Sequence, residues 1–119
     1  MVLVDTSVWI DHLRSGNPRF ASLLEEGKVL CHPFVIGELA CGQIHNRKQI
    51  LDSLEEIPVA VLADQDEVMA MIESYHLMGT GLGLLDAYLL ASACLSGSSL
   101  WTRDSSLQKA AVKLGVLFA

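Results

Sequence analysis

Four acidic side chains stand where a carboxylate is either costly or well placed for chemistry: Asp5, Glu38, Asp86 and Asp104. Asp5 ends the apolar run Val2-Leu3-Val4, and Asp104 follows Ser99-Leu100-Trp101-Thr102. Each run reads as a buried strand, so both aspartates fall at carboxyl ends of strands, the edge that carries the ligand crevice of an open parallel sheet. Both also precede helical patterns, where Asp is a good N-cap. Asp86 lies inside Leu84-Leu85-Asp86-Ala87-Tyr88-Leu89-Leu90, an apolar setting in which a carboxylate is expensive unless paired or bound to a cation. A first-turn acid favoured by the helix dipole is the ordinary alternative. Glu38, within Phe34-Val35-Ile36-Gly37-Glu38-Leu39-Ala40-Cys41, is by itself accounted for as an exposed acid on a half-buried helix. Together the four make a set of hard oxygen ligands of the kind that Mg²⁺ and Mn²⁺ prefer. A metal so held could activate water and stabilise charge on a phosphodiester. Ser7 and Thr102 lie close in sequence and could fix a carboxylate or a water.

The elements that must position these groups alternate along the chain. Strands are expected at Val2–Val4, Val29–Cys31, Val59–Leu62, Ser99–Thr102 and Val116–Phe118. Helices are expected from Thr6, Pro18, Phe34, Arg47, Asp64, Leu84 and Ser105. Pro18 and Pro33 suit first helical positions, Asp64 a cap, and Gly27 and Gly115 helix ends. Leu84 to Leu95 is apolar almost all round, which predicts a central, buried helix. This alternation predicts an α/β fold, one domain over 1–119, with a mainly parallel central sheet and helices on both faces.

Composition narrows the function classes. The 119 residues allow one domain with a real core, and 51% apolar with 18% charged residues excludes overall disorder. Eight bases against fourteen acids give a net charge of −6, which disfavours passive phosphate binding unless cations offset the carboxylates. Cys31, Cys41 and Cys94 have no zinc or disulfide spacing and read as buried free thiols in a reducing cytosol. The Met1–Asp5 segment lacks a basic start, and the longest uncharged stretch, Ala87 to Thr102, is too short and polar to span a bilayer. A cytoplasmic protein without a membrane partner is expected. Most other acids, such as Glu25, Asp52, Glu55 and Glu73, fall on solvated helix faces. His12, His32, His45 and His76 share no ligand spacing and read as surface or loop residues. The glycines Gly79, Gly81 and Gly83 form no nucleotide loop.

The segments Val4-Asp5-Thr6-Ser7-Val8-Trp9-Ile10, Gly37-Glu38-Leu39, Leu85-Asp86-Ala87-Tyr88-Leu89-Leu90-Ala91 and Leu100-Trp101-Thr102-Arg103-Asp104 together resemble the PIN domain. They are especially similar to VapC toxins of bacterial type II toxin–antitoxin pairs, and the likeness runs from Val2 to near the end. The resemblance implies an endoribonuclease that hydrolyses RNA phosphodiester bonds with Mg²⁺ or Mn²⁺. It implies that Asp5, Glu38, Asp86 and Asp104 form the acidic quartet, catalytic and metal-holding, with Thr6, Ser7 and Thr102 as accessory hydroxyls. It also implies a small antitoxin partner and a homodimer. Asp104-Ser105-Ser106-Leu107 lacks the second acid and the Phe that many members carry there, which bears on a second metal position. Without the quartet, ten acids face eight bases, so much of the net charge belongs to the site. Arg103, Arg14, Arg47 and Lys48 are the candidates for holding RNA phosphates. Two other readings compete: a non-catalytic PIN-like scaffold, and a phospho-accepting receiver-type domain. The latter would need a second acid beside the first strand and a late lysine after a strand, whereas Lys109 and Lys113 fall in an expected helix.

Overall fold

The computed structural model describes residues 1–119. Its centre is a parallel sheet of β1 (Val2–Val4), β2 (Val29–Leu30) and β3 (Ser99–Trp101), in the order β2-β1-β3. Val2 pairs with Val29 on one side and Ser99 on the other, and Val4 pairs with Trp101. All three residues of β1 are buried. Successive strand side chains point to opposite faces, so both faces of the central strand are covered, as a parallel sheet requires.

Seven helices supply the cover: α1 (Thr6–Ser15), α2 (Pro18–Glu25), α3 (Pro33–Cys41), α4 (Arg47–Leu54), α5 (Gln65–Ser74), α6 (Leu84–Ser96) and α7 (Ser105–Lys113). Helix α6 packs on β1 and β3 and touches α5 and α7, while α3 packs on α1 and α4. Ala87 and Leu89 through Ala93 of α6 are buried, as its apolar sequence predicts, whereas Leu84, Leu85 and Leu95 at its ends are exposed. Phe20 of α2 is fully buried and meets the edge of Trp9 at 4.6 Å between ring centroids. Pro18 and Pro33 open α2 and α3, their neighbours Asn17 and His32 capping the free amides.

Two expected strands are reduced to single bridges. Cys31 pairs with Val59, its N–H donating to the Pro58 carbonyl at 2.8 Å and its carbonyl accepting from Ala60 at 2.9 Å. Beyond Ala60 the backbone leaves the sheet for α6. The Val61 N–H donates to Ser96 Oγ at 2.9 Å and the Ala63 N–H to Ser92 Oγ at 3.2 Å. Those serines satisfy the amides that a longer strand would have paired, and leave Val59, Val61 and Leu62 more than half exposed. At the other edge, Leu117 alone of the expected Val116–Phe118 strand pairs, with Leu100 of β3. The cysteines also differ from expectation: Cys31 is buried, but Cys41 and Cys94 are exposed, and all three are free. No helix is long and apolar enough to cross a membrane.

Candidate active site

The carboxyl ends of β1 and β3 lie side by side, and a chain of hydroxyls fastens them together. Asp5 follows β1 and holds the N-cap position of α1, but its side chain makes no cap hydrogen bond. Its Oδ2 accepts instead from Ser7 Oγ at 2.8 Å and from Thr102 Oγ1 at 2.7 Å. Each hydroxyl is held in turn by a backbone amide: Arg103 N–H donates to Ser7 Oγ and Asp104 N–H to Thr102 Oγ1, both at 3.0 Å. A hydroxyl that accepts from an amide is left to donate its own proton, so both are fixed as donors to the Asp5 carboxylate. This network leaves Oδ1 without a protein partner.

Glu38 reaches the same edge from α3. Its Oε1 accepts from Thr6 Oγ1 at 2.8 Å, linking residues 32 apart in sequence. Helix α3 is aimed by His32, whose Nδ1 accepts from the Phe34 N–H at 3.0 Å. His32 is buried at 3% exposure, contrary to the expected surface role, and burial lowers its pKa. Asp104 caps α7: its Oδ1 accepts from the Leu107 N–H at 2.9 Å, while Oδ2 stays unbonded. The capping role expected for Asp104 and its place at the strand edge are thus compatible, since one oxygen serves each.

Asp86 sits in the first turn of α6 and differs from the other three. No hydroxyl or amide supports it. Burial first, then the charges of Asp5, Asp104 and Glu38, push its pKa up to about 6. Asp86 therefore registers the field of all three partners at one place. Even so, no three His, Cys, Asp or Glu side chains stand close enough to enclose an ion unaided. The donor set is all carboxylate and hydroxyl oxygen, which suits a hard cation that retains water between itself and some of its ligands.

Of the expected phosphate contacts, Arg103 and Arg14 lie beside this edge, lining one shallow recess with Ser7 and Asp11. Arg103 Nη1 pairs with Asp11 Oδ1 at 2.7 Å, and Arg14 has no ion-pair partner. Arg47 is turned elsewhere: its Nε and Nη2 both donate to the Ala40 carbonyl, at 3.2 and 2.9 Å, closing the end of α3. Lys48 pairs with Asp52 on the exposed face of α4. Two hollows meet at Glu38, one of about 440 Å³ lined by Ile10, Leu13, Arg14, Leu39 and Ile44, the other of about 450 Å³ beside Phe34 and Leu85.

The PIN-domain family model matches residues 2–113, all but the first residue and the last six. The chain belongs to the PIN domain family. Among relatives of this PIN domain are the Ribonuclease VapC32 proteins of two Mycobacterium tuberculosis strains. They are 45% identical over 120 aligned positions, covering 100% of this chain and 97% of theirs. Solved structures give the same fold. FitAcB from Neisseria gonorrhoeae aligns at a TM-score of 0.62 and 25% identity over 94% of each chain. PAE2754 from Pyrobaculum aerophilum aligns at 0.62 and 19% over 92% of this chain and 78% of its own. The PIN fold excludes the receiver-type alternative, and Lys109 and Lys113 lie in α7 as that exclusion requires.

Proposed function

We propose that this PIN domain, as one nuclease unit over residues 1–119, is a metal-dependent endoribonuclease acting as the toxin of a toxin–antitoxin pair. The observation that carries the reading is Asp86, an acid held at a pKa of about 6 by its burial and by three other carboxylates. Such clustering is costly in an inert fold and useful where a cation must be held. Kinship with a ribonuclease at 45% identity over the full chain supplies the substrate class.

Asp5, Asp86 and Asp104 would hold Mg²⁺ or Mn²⁺, directly or through water, and Glu38 would hold metal or orient the attacking water. When bound, the ion supplies Lewis-acid stabilisation of charge on the phosphodiester and lowers the pKa of water. The chain's own residues do the positioning. Thr102 and Ser7 fix Asp5 in rotation, Thr6 does the same for Glu38, and the cap bond to Leu107 orients Asp104. Arg14 and Arg103 supply positive charge for RNA phosphates beside the carboxylates. Arg47 and Lys48, occupied by the Ala40 carbonyl and Asp52, are weaker candidates for the same role.

The apolar floor of Ile10, Leu13, Leu39 and Ile44 next to Glu38 suits a segment of the antitoxin, and exposed Met69, Tyr75 and Met78 suit a second copy in a homodimer. A cytoplasmic setting follows from an RNA substrate. The direct test is incubation of purified protein with single-stranded RNA in Mn²⁺ or in chelator, with the new RNA ends sequenced. Internal cuts in Mn²⁺ and none in chelator are expected. Cutting that persists in chelator would remove the metal from the reading, and no cutting in either condition would remove the nuclease.

A further inference from the structure

Helix α7 begins at the site, with Asp104 as its cap, and leads away from it. Of the eight Lys and Arg residues, five are engaged: Arg19 by the Ala119 carbonyl, Lys28 by Glu26, Arg47 by the Ala40 carbonyl, Lys48 by Asp52 and Arg103 by Asp11. Arg14, Lys109 and Lys113 have no carboxylate or carbonyl partner. Two of these three, Lys109 and Lys113, are one helical turn apart on α7 and line the same hollow of about 120 Å³. Ser106 and Thr80 line it with them. Thr80 Oγ1 is taken by the Leu77 carbonyl, but the Ser106 hydroxyl has no partner.

The opposite wall is Leu77 and Thr80, beside the Gly79–Gly83 loop. Gly79 and Gly81 have φ of +71° and +86°, and a Cβ on Gly81 would stand 3.0 Å from Ser106 Oγ. Glycine thus lets the loop backbone approach the first turn of α7 directly. Two unpaired ammonium groups and a free hydroxyl are phosphate-binding groups. At 1.5 Å per residue, Lys109 and Lys113 lie about 7 and about 13 Å along the helix from Asp104, in line with the site.

We propose that Lys109, Lys113 and Ser106, lining one hollow with Thr80, form a phosphate track that carries an RNA strand along α7 away from the carboxylates. The track rests on the ribonuclease reading and adds the direction of the substrate. Its contacts are to phosphates, so it contributes affinity without sequence preference.

The test measures binding of a single-stranded RNA oligonucleotide, in chelator to prevent cutting, across a salt series. The variants are Lys109→Ala/Lys113→Ala, Lys109→Arg/Lys113→Arg, and Lys28→Glu. The last changes net charge by the same two units at the far end of the sheet, where Lys28 precedes β2. The double alanine variant should bind about tenfold more weakly at low salt, and its log K against log salt slope should be shallower by roughly 0.7 for each phosphate that is no longer neutralised. The double arginine variant should restore both, and Lys28→Glu should change the slope little. Alanine is a strong helix former, so α7 persists, which a thermal melt checks. An unchanged slope in the double alanine variant, or an equal loss in Lys28→Glu, overturns the track. If the wild type cuts RNA in Mn²⁺ with the same KM as the double alanine variant, the track alone falls. If the wild type neither binds nor cuts RNA, the nuclease reading falls with it.

Discussion

Helices α1 and α5 both begin after an aspartate in the N-cap position, Asp5 and Asp64, each with extended backbone. Asp64 does what its position suggests. Its side chain accepts from the Glu67 N–H at 2.8 Å, and Glu67 Oε1 accepts from the Asp64 N–H at 3.0 Å, a complete capping box. Asp5 leaves the amides of its helix alone and is bound by Ser7 and Thr102 instead. The same residue in the same local position is thus committed to its own helix in one region and withheld from it in the other. What decides is the partner set. Asp64 sits at an exposed helix start with a Glu three residues on, whereas Asp5 lies at the seam of β1 and β3, where tertiary hydroxyls outcompete the local amides. A carboxylate free of its helix can serve a ligand.

The largest effect should come from reversing that assignment. Asp5→Asn keeps size and hydrogen-bonding capacity but removes the charge, and RNA cleavage in Mn²⁺ should fall at least about 100-fold. Its melting temperature should stay close to the wild type's. Asp64→Ala should give the opposite result, with full cleavage and a loss of about 1 kcal/mol in denaturant unfolding. Full activity in Asp5→Asn would erase the distinction between the two caps.

A smaller loss is expected from Thr102→Val, which removes the hydroxyl that orients Asp5 and keeps the side-chain shape. Outer-shell partners of this kind are worth roughly 10–100-fold in activity. The loss should appear mainly in kcat, since the hydroxyl is bonded to Asp5 rather than exposed to RNA. A variant as active as the wild type would show that Ser7 alone fixes the carboxylate.

The third measurement is of stability against pH in chelator. Folded Asp86 has a pKa of about 6, against about 4 for an unfolded Asp. Between those values the folded chain binds more protons than the unfolded one, so stability should fall as pH rises from about 4 to about 6, with the full cost present above. Two pH units set an upper bound near 3 kcal/mol, which screening at this part-exposed position reduces to roughly 1 kcal/mol. Asp86→Asn should flatten that slope and melt above the wild type at pH 7.5. It should also gain less from added Mn²⁺, where the wild type gains about 2.7 kcal/mol at free metal 100 times its Kd. A variant that melts lower with an unchanged metal response would make Asp86 a helix-dipole acid only.

Much of this arrangement is legible in the sequence, because strand–helix alternation puts residues such as Asp5 and Asp104 at one sheet edge whatever the details. The cap at Asp64 is legible too, since its partner Glu67 is three residues away. What sequence reading does not reach depends on distant pairs. Ser7 and Thr102 are legible as hydroxyls able to fix a carboxylate, but which carboxylate each serves is not: Thr102 reaches Asp5 across 97 residues and Thr6 reaches Glu38 across 32, and the Arg103–Asp11 pair spans almost as much of the chain as the first of these. The apolar run at Val59–Leu62 has strand composition, yet Ser92 and Ser96 of α6 draw its amides off the sheet. His32 has no local pattern that marks it as buried. Its capping role is visible only as the residue before Pro33.

The pairing of β1 with β3 has a consequence in time. Of the three strands, the earliest made lies at the centre of the sheet, and one of its two neighbours is the latest of the three. At translation rates of roughly 5–20 residues per second, the stretch between Asp5 and Asp104 takes on the order of 5–20 s to emerge. Until then Asp5 lacks Thr102, α7 does not exist, and β1 has only β2 beside it. Non-local closure of this kind is also slow in itself, because the loop entropy must be overcome before the contacts form. A chain interrupted anywhere before Thr102 would carry at most three of the four acids with nothing to assemble them, so a nascent or truncated copy would lack the assembled site.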